Sequence, residues 1–332
     1  MVAGGRRTAV LPGEGRAEAA LNALASRGLT KRYGAIAAVD HLDLTVEEGT
    51  LYGFLGPNGA GKTTTIRMAL GLILPTEGEV DVLGEPVFAG GAARGRALRK
   101  AGALVEEPAF WMYLSGRRNL DYFAAAAGPP DDRDARRSRV DEVLRTVGLD
   151  AAGDKKVKAY SQGMRQRLGI GLALLGAPRV LLLDEPTNGL DPQGMREIRT
   201  LLRRLADDGV TVFVSSHLLS EVEAMCDRVG VLARGRLVAE GPPANLRAGA
   251  SRLRIDVDDR GRAERALRDV SDVTLIADGS TALRVRLSEG ADPAEVNAAL
   301  VRAGVGVRAL VPEHDSLEDV FVALVEGEDA PR

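Results

Sequence analysis

This sequence contains little cysteine and has a small net charge. Cys226 is the one cysteine among 332 residues, which excludes an internal disulfide and favours a reducing compartment such as the cytoplasm. We interpret Cys226 as a small buried apolar residue. The formal net charge is only −3, so the chain has no general attraction to nucleic acid or acidic lipid. No nucleic-acid partner is therefore expected.

Long hydrophobic runs are also missing. A membrane-spanning helix needs about 20 consecutive apolar residues, and the nearest candidate, 168–183, is interrupted by Pro178 and Arg179. The first residues lack the apolar centre of a signal peptide, and we expect residues 1–27 to form a disordered extension. If the protein acts at a membrane, we expect a second chain to cross it.

Short apolar runs alternate with amphipathic segments over 29–240, which predicts an α/β domain with a largely parallel sheet. Strands are expected at Leu51–Leu55, Val180–Leu183 and 210–214. Between the last two, apolar residues at helical spacing predict a helix that ends near Gly209. Residues 99–159 are expected to form a mostly helical insert.

A second domain is predicted after the Gly-Pro-Pro run at 241–243, which marks a boundary. The pattern beyond it follows the order strand, helix, strand, strand, helix, strand, helix, with a hairpin signal at Asp278-Gly279 and a last helix at 316–325. This order predicts a small α+β domain of the ferredoxin-like type over 250–328, without a catalytic cluster.

A phosphate-binding loop follows the first of the predicted strands, with the sequence Gly56-Pro57-Asn58-Gly59-Ala60-Gly61-Lys62-Thr63. This run matches the P-loop pattern, whose glycines let backbone N–H groups point at phosphates. Lys62 adds a positive charge, and the Thr63 hydroxyl is suited to ligate Mg²⁺. We therefore predict that residues 56–63 and the adjoining Thr64 bind ATP with Mg²⁺.

Acidic side chains and a histidine follow two other predicted strands. Asp184 and Glu185 come directly after Val180–Leu183, and His217 follows 210–214. Ligands of doubly wound sheets bind beyond the carboxyl ends of the strands. Asp184 is therefore predicted to hold Mg²⁺, Glu185 to polarise the attacking water, and His217 to stabilise charge on the γ-phosphate.

Together these motifs identify a family resemblance. Over 29–240 the chain resembles ABC transporter nucleotide-binding subunits, with a signature-like segment at 160–166 and a D-loop-like segment at 188–191. The resemblance implies a P-loop cassette over 28–245, a helical subdomain at about 99–159, and a homodimer in which Ser161, Gln162 and Gly163 of one subunit close over the ATP of the other. Ser161 is also suited to cap a helix. Tyr33 lies where the family places a ring against adenine, with a surface tyrosine as the alternative.

The sequence departs from that family at the Q-loop, where Glu106 stands in place of the usual glutamine. A carboxylate only accepts hydrogen bonds but binds Mg²⁺ more strongly than an amide, so Glu106 is predicted to be a metal or water ligand, with Glu107 as the alternative. Trp111 follows in an apolar run. It is expected either in the core or, as the family resemblance implies, against a membrane subunit.

The full motif set looks closest to bacitracin- and lantibiotic-type export ATPases. This implies a cytoplasmic ATPase, peripheral on the inner face of the membrane through a separate permease, that energises export of an antibiotic or another amphipathic compound. A soluble ATPase acting on ribosomes is one alternative, but such proteins usually carry two cassettes. A DNA-repair ATPase is a second alternative, but such proteins need long coiled coils. A nucleotide sensor without catalysis is the third alternative, and intact Glu185 and His217 argue against it.

Overall fold

The computed structural model describes residues 22–106, 109–126, 133–246, 252–268, 270, 273–276, 282–288 and 291–313. Its strands are β1 (Asn22–Tyr33), β2 (Ile36–Glu47), β3 (Leu51–Leu55), β4 (Glu77–Val82), β5 (Glu85–Pro86), β6 (Ala101–Leu104), β7 (Val180–Leu183), β8 (Thr211–Ser216), β9 (Arg228–Ala233), β10 (Arg236–Gly241), β11 (Arg252–Val257), β12 (Val273–Ile276), β13 (Leu283–Leu287) and β14 (Val307–Glu313). Its helices are α1 (Lys62–Ala69), α2 (Gly91–Arg99), α3 (Gly116–Ala126), α4 (Arg133–Thr146), α5 (Gln162–Leu174), α6 (Pro192–Asp207), α7 (Leu219–Met225), α8 (Pro243–Leu246), α9 (Arg260–Arg268) and α10 (Pro293–Arg302), with 3₁₀ turns at Asp150–Ala152 and Val157–Ala159. None of these helices is both long and apolar enough to span a bilayer.

The central sheet has the strand order β10-β9-β3-β8-β7-β6. Its neighbours pair in parallel except for β9 and β10 at one edge. Every residue of β3, β7 and β8 is buried, because both faces of this sheet are covered. Successive side chains enter opposite cores: Leu181 and Leu183 lie in one apolar cluster, and Val180 and Leu182 in the other.

The parallel register brings three loops to one edge of this sheet. Leu55 pairs with Ser216, and Leu183 pairs with Val214. The residues that follow β3, β7 and β8 therefore leave the sheet at the same end. They are the glycine-rich loop, the pair Asp184 and Glu185, and His217.

The predicted helix between β7 and β8 is confirmed as α6. Asp191 caps its amino terminus by accepting a hydrogen bond from the Gly194 N–H at 2.8 Å, and Pro192 occupies the first turn. Both features are favourable because early helical N–H groups lack partners within the helix. Gly209, with a φ of +90°, follows its end as the sequence predicts.

The expected start of the fold is wrong. β1 begins at Asn22, inside the segment predicted as a disordered extension, and buries Ala23 and Leu24. It pairs with β2 on one side and with β4 on the other, in a separate antiparallel sheet of order β2-β1-β4-β5. Pairing on both edges stabilises a strand whose small residues give a weak local signal. A largely parallel sheet is thus correct for the central sheet only.

The predicted helical insert also starts too early. β6 falls within 99–159, yet it pairs in parallel with β7 at the edge of the central sheet. The strand has only four residues, Ala-Gly-Ala-Leu, and its small side chains give no clear strand pattern. The helical part of the insert therefore begins with α3, and α4 follows it with Val140 and Val143 buried.

The carboxyl-terminal elements form an antiparallel sheet of order β12-β13-β11-β14. Helices α9 and α10 contribute Ala263, Leu267, Val296 and Leu300 to its apolar cluster. The order of these elements along the chain agrees with the predicted one as far as β14. The hairpin signal at Asp278-Gly279 and the helix predicted at 316–325 lie outside the described residues.

The buried position of Cys226 confirms the interpretation of this residue as part of the core. It is 8% exposed and packs in the same cluster as Val222. Helix α7 lies so close to β3 that a Cβ atom on Gly53 would come within 2.3 Å of Val222 Cγ1 and 2.9 Å of Cys226 Sγ. Burial, the largest cause, raises the pKa of the Cys226 thiol well above its usual range.

This environment predicts that native Cys226 resists thiol reagents. Because the folded state favours the protonated thiol, its contribution to the free energy of unfolding is complete below the unfolded pKa of about 8.5 and declines at higher pH. Labelling at pH 8 should therefore proceed only at the rate of unfolding, which a denaturant series measures. Labelling of the native protein as fast as free cysteine would contradict the prediction.

Candidate active site

The glycine-rich loop joins β3 to α1. Gly61 precedes the helix with a φ of +109°, and a Cβ atom there would lie 2.3 Å from the Ala38 carbonyl oxygen. Only glycine is compatible with both constraints. The Ala60 N–H donates to the Pro57 carbonyl oxygen at 3.1 Å. The loop thus has a defined, tightly curled backbone that ends at the amino terminus of a helix, a favourable position for a phosphate.

Lys62 lies inside this loop and is 5% exposed. Its ammonium group donates to the carbonyl oxygens of Gly56 and Pro57 at 2.6 and 3.2 Å. It also lies 3.2 Å from a carboxylate oxygen of Glu185. A buried ammonium requires such partners, and they direct its charge to the centre of the loop.

Asp184 is held between two hydroxyl groups. Thr63 Oγ1 donates to one carboxylate oxygen at 2.7 Å, and Ser215 Oγ donates to the other at 2.6 Å. Ser215 Oγ also accepts the Glu185 N–H at 3.0 Å. Sequence reasoning missed Ser215 as a site residue. The available signal was a fully buried serine at the carboxyl end of an apolar strand.

Glu185 connects the loop to His217. His217 Nδ1 lies 2.6 Å from Glu185 Oε2, while Lys62 faces the other oxygen. Glu185 has a φ of +49°, the left-handed region, in which a non-glycine residue is strained by about 1–3 kcal/mol. The Glu185 carboxylate therefore extends from a strained backbone and lies between an ammonium group and an imidazole ring at the end of parallel strands. This position suits proton and water chemistry.

Two adjoining clefts meet at Glu185 and Asn188. The first, about 470 Å³, is lined by Ala38, Asn58, Gly59, Gly61, Lys62, Thr63, Thr64, Glu185, Asn188 and His217. The second, about 190 Å³, is lined by Glu106, Gln162, Arg165, Gln166, Asp184, Glu185 and Asn188. Most predicted site residues therefore lie around one region, and Asn188 joins them as a residue not predicted for the site.

The signature-like residues occupy a different position. Ser161 caps α5 by accepting the Met164 N–H at 3.2 Å, as its alternative interpretation predicts. Ser161 and Gln162 are exposed, and Gly163 is half-buried. Among the described residues, neither Ser161 nor Gly163 lines the cleft that contains Lys62. Within a single chain, Ser161 and Gly163 therefore line neither cleft, whereas Gln162 lines the second one.

Tyr33 and Glu106 lie at the surface. Tyr33 is 51% exposed, with the Lys31 ammonium 5.2 Å from its ring centre. Glu106 has a φ of +69° and forms an ion pair with Arg67 of α1, while its side chain also lines the second cleft. Glu107 lies outside the described residues.

Trp111 is half-buried and packs against two rings of α3. Its ring centre lies 4.4 Å from that of Tyr122, edge to face, and 5.3 Å from that of Phe123. Its N–H backbone group donates to Asn119 Oδ1 at 2.9 Å. Around it Met112, Tyr113 and Tyr122 are 43%, 66% and 56% exposed. Trp111 therefore lies at the edge of an exposed aromatic surface.

The oxygen donors near the loop fit magnesium. The Thr63 hydroxyl and the Asp184 carboxylate are in contact, and both are hard ligands of the type that Mg²⁺ prefers. Among the described residues there is no group of three or more histidine, cysteine or acidic side chains able to hold an ion alone. Such a site suits a cation that takes its remaining ligands from phosphates and water.

Comparisons with known proteins show to which family the chain is similar. The family model described as ABC transporter matches residues 39–188. The chain is 41% identical to the bacitracin transport ATP-binding protein of Bacillus licheniformis, over 90% of this chain and 96% of that protein. It is 37% identical to the daunorubicin/doxorubicin resistance ATP-binding protein of Streptomyces peucetius, over 91% and 92%.

Solved structures are similar as well. A component of an ABC transporter complex from Clostridium perfringens is 28% identical with a TM-score of 0.63, over 68% of this chain and 90% of that one. A dimeric ATP-binding cassette in a post-hydrolysis state, bound to ADP and Pi, is 27% identical with a TM-score of 0.59, over 66% and 98%. The chain therefore belongs to the ABC transporter family, as an ATP-binding protein whose activity is ATP hydrolysis.

Proposed function

We propose that this protein is the ATP-hydrolysing subunit of an exporter that removes an antibiotic or another amphipathic compound through a separate permease. The observation that carries its catalytic part is the Glu185 carboxylate between Lys62 and His217. The export role draws its support from the relatives named for bacitracin transport and for daunorubicin resistance, which match nine-tenths of the chain. Export places the protein on the cytoplasmic face of the membrane, held there by the permease.

The predicted site residues around the clefts have proposed parts in hydrolysis. The loop at 56–63, with Thr64, binds the phosphates through backbone N–H groups and the Lys62 charge. Thr63 and Asp184 hold Mg²⁺, with Ser215 fixing the orientation of Asp184. Bound Mg²⁺ neutralises charge that develops on the phosphate oxygens.

Glu185 accepts a hydrogen bond from the attacking water and orients it. His217 exchanges its hydrogen bond to Glu185 for one to the γ-phosphate, where it stabilises the developing charge. Tyr33, which is 51% exposed, is proposed to stack on adenine, a contact worth about 1–3 kcal/mol.

A homodimer would complete the site. Ser161, Gln162 and Gly163 lie at the start of α5; Ser161 and Gly163 line neither cleft of their own chain, and Gln162 lines the second one. Helix starts are favourable positions for anions, and the solved relative bound to ADP and Pi is a dimer. We propose that this turn closes over the ATP held by a second copy.

Glu106 is proposed to contact Mg²⁺ or its water. Replacing Glu106 by Ala is then expected to raise the Mg²⁺ concentration that gives half-maximal ATPase activity by about 10-fold. Initial rates over a magnesium series measure this shift. Arg67→Ala is the matched control, since it removes the other half of the ion pair. Equal behaviour of the two variants, or no shift, would contradict the assignment and leave Glu106 as a structural partner of Arg67.

The aromatic surface around Trp111 is proposed to contact the permease. Because Trp111 is the one tryptophan, its emission reports on this surface alone. We expect a changed emission maximum when the full chain binds its permease, and co-purification of the two with substrate-stimulated ATPase activity. Trp111→Phe supplies the spectral baseline. An unchanged spectrum in a stable complex would contradict the contact, and failure to co-purify would contradict the permease.

The carboxyl-terminal region is proposed to be a separate ferredoxin-like domain over 250–328, following a cassette that ends near 245. Its support is the sheet order β12-β13-β11-β14 and an apolar cluster of its own. The matches to the bacitracin transport and daunorubicin/doxorubicin resistance proteins extend into this region, since they cover at least 90% of the chain.

A further inference from the structure

A buried carboxylate lies close to the catalytic segments without being one of them. Glu221 of α7 is 2% exposed, and its partner Thr187 is 4% exposed. Thr187 Oγ1 donates a hydrogen bond to Glu221 Oε2. The other oxygen, Oε1, has no hydrogen-bond partner among the described residues. Burying a carboxylate with so few partners is unfavourable, so packing alone does not explain a glutamate here.

The two ends of this pair belong to the segments that carry Glu185 and His217. Thr187 follows Glu185 by two residues, and α7, which contains Glu221, starts two residues after His217. The pair therefore ties the turn after β7 to the turn after β8. It is a further link between these segments, beside the contact of His217 with Glu185 and the hydrogen bonds of Ser215.

The turn that contains Thr187 is also the one that keeps Glu185 strained. The Asn188 N–H donates to the Glu185 carbonyl oxygen at 3.1 Å, and the Leu190 N–H donates to that of Thr187 at 3.2 Å. Glu185 itself has a φ of +49°. A strained conformation persists only where neighbouring contacts over-determine it, and the anchored Thr187 side chain is one such contact.

We propose that Glu221 is a positioning residue for ATP hydrolysis. By holding Thr187 it keeps the 185–188 turn closed, and so keeps the Glu185 carboxylate aligned with His217. This inference rests on the proposed role of Glu185 in hydrolysis. It does not require Glu221 or Thr187 to touch ATP or the attacking water.

The test uses the full chain with MgATP, and Thr187→Val as the main variant, which keeps the shape but removes the hydroxyl. We expect kcat to fall by roughly 10- to 100-fold, while the Kd for ATP stays within about twofold because the loop that binds phosphate is intact. Thr187→Ser, which restores the hydroxyl, should recover kcat to within about twofold of wild type. Glu221→Gln should reduce kcat less than Thr187→Val, because the amide oxygen still accepts from Thr187.

Thr211→Val is the matched control. Thr211 is as buried as Thr187, and its hydroxyl accepts the Gly49 N–H at 2.9 Å at the start of β8. We expect this variant to lose stability in a denaturant series while kcat and the Kd for ATP remain at wild-type values. It separates a general loss of buried hydrogen bonding from a loss of alignment.

A wild-type kcat in Thr187→Val, an equal loss in Thr187→Ser, or a loss in Thr211→Val of the same size would overturn the inference. Additive losses in the double variant Thr187→Val with Glu221→Gln would do so too, because residues that act as one unit are not additive. If the wild-type chain hydrolyses no ATP, alone or with its permease, the proposed function and the inference about Glu221 both fail. Hydrolysis that Glu185→Gln abolishes and Thr187→Val preserves overturns the inference alone.

Discussion

Glu185→Gln is expected to lower kcat for ATP hydrolysis by about 10²–10⁴-fold, the usual contribution of a positioned general base. Glutamine has nearly the same shape, but its amide is a far weaker base than a carboxylate. The glutamine side chain retains one acceptor oxygen for its neighbours Lys62 and His217, so the loop should remain folded. Binding of MgATP should therefore stay close to the wild-type level, and uncleaved ATP should accumulate on the protein.

Phosphate release at saturating MgATP measures the rate, and equilibrium binding of ATP measures the affinity. Glu79→Gln is a suitable control, because Glu79 is an exposed glutamate of the antiparallel sheet paired with Arg27. That variant should retain full activity. A Glu185→Gln protein that hydrolyses ATP within about tenfold of the wild-type rate would exclude Glu185 as the base.

Lys62→Ala is expected to weaken ATP binding by roughly 10- to 150-fold, the equivalent of about 1.5–3 kcal/mol for a hydrogen bond to a charged group. The ammonium group is buried against the Gly56 and Pro57 carbonyl oxygens, and Lys62 is the one lysine or arginine among the described residues that line the first cleft. Activity should fall at least as much as binding does.

Two variants separate charge from packing in this experiment. Lys62→Met keeps the length of the side chain and should bind ATP as poorly as Lys62→Ala. Lys100→Ala removes an exposed lysine at the end of α2 and should bind normally. Titration with a fluorescent ATP analogue gives all of these affinities. Wild-type affinity in Lys62→Met would contradict the role of the Lys62 charge.

The loop at 56–63 was predictable because its residues are contiguous and each has a local physical reason. Gly61 has a φ of +109°, a conformation that favours glycine, and the glycine pattern of such a loop is visible in the sequence. Asp184, Glu185 and His217 were predictable from their places after apolar strands. Parallel pairing does bring those strand ends to one edge of the sheet.

Other features depend on contacts between distant residues and had no local signal. Ser215 holds Asp184 from 31 residues away, and Thr187 meets Glu221 across 34 residues. The ion pair between Arg67 and Glu106 likewise follows from the tertiary fold. β1 was missed because its small residues become a strand only through pairing with both β2 and β4.

The central claim is that two copies trap ATP between the loop of one and the Ser161 turn of the other. Asn58 and Ser161 are both exposed, whereas Cys226 is buried, so introduced thiols report on the interface alone. In a Glu185→Gln background, Asn58→Cys protein is mixed with Ser161→Cys protein and oxidised with and without MgATP, after ATP binding to each has been verified. A disulfide requires Cα atoms within about 7 Å. We predict a covalent heterodimer that forms with MgATP and not without it; absence of the heterodimer with MgATP, from proteins that both bind ATP, would contradict the claim.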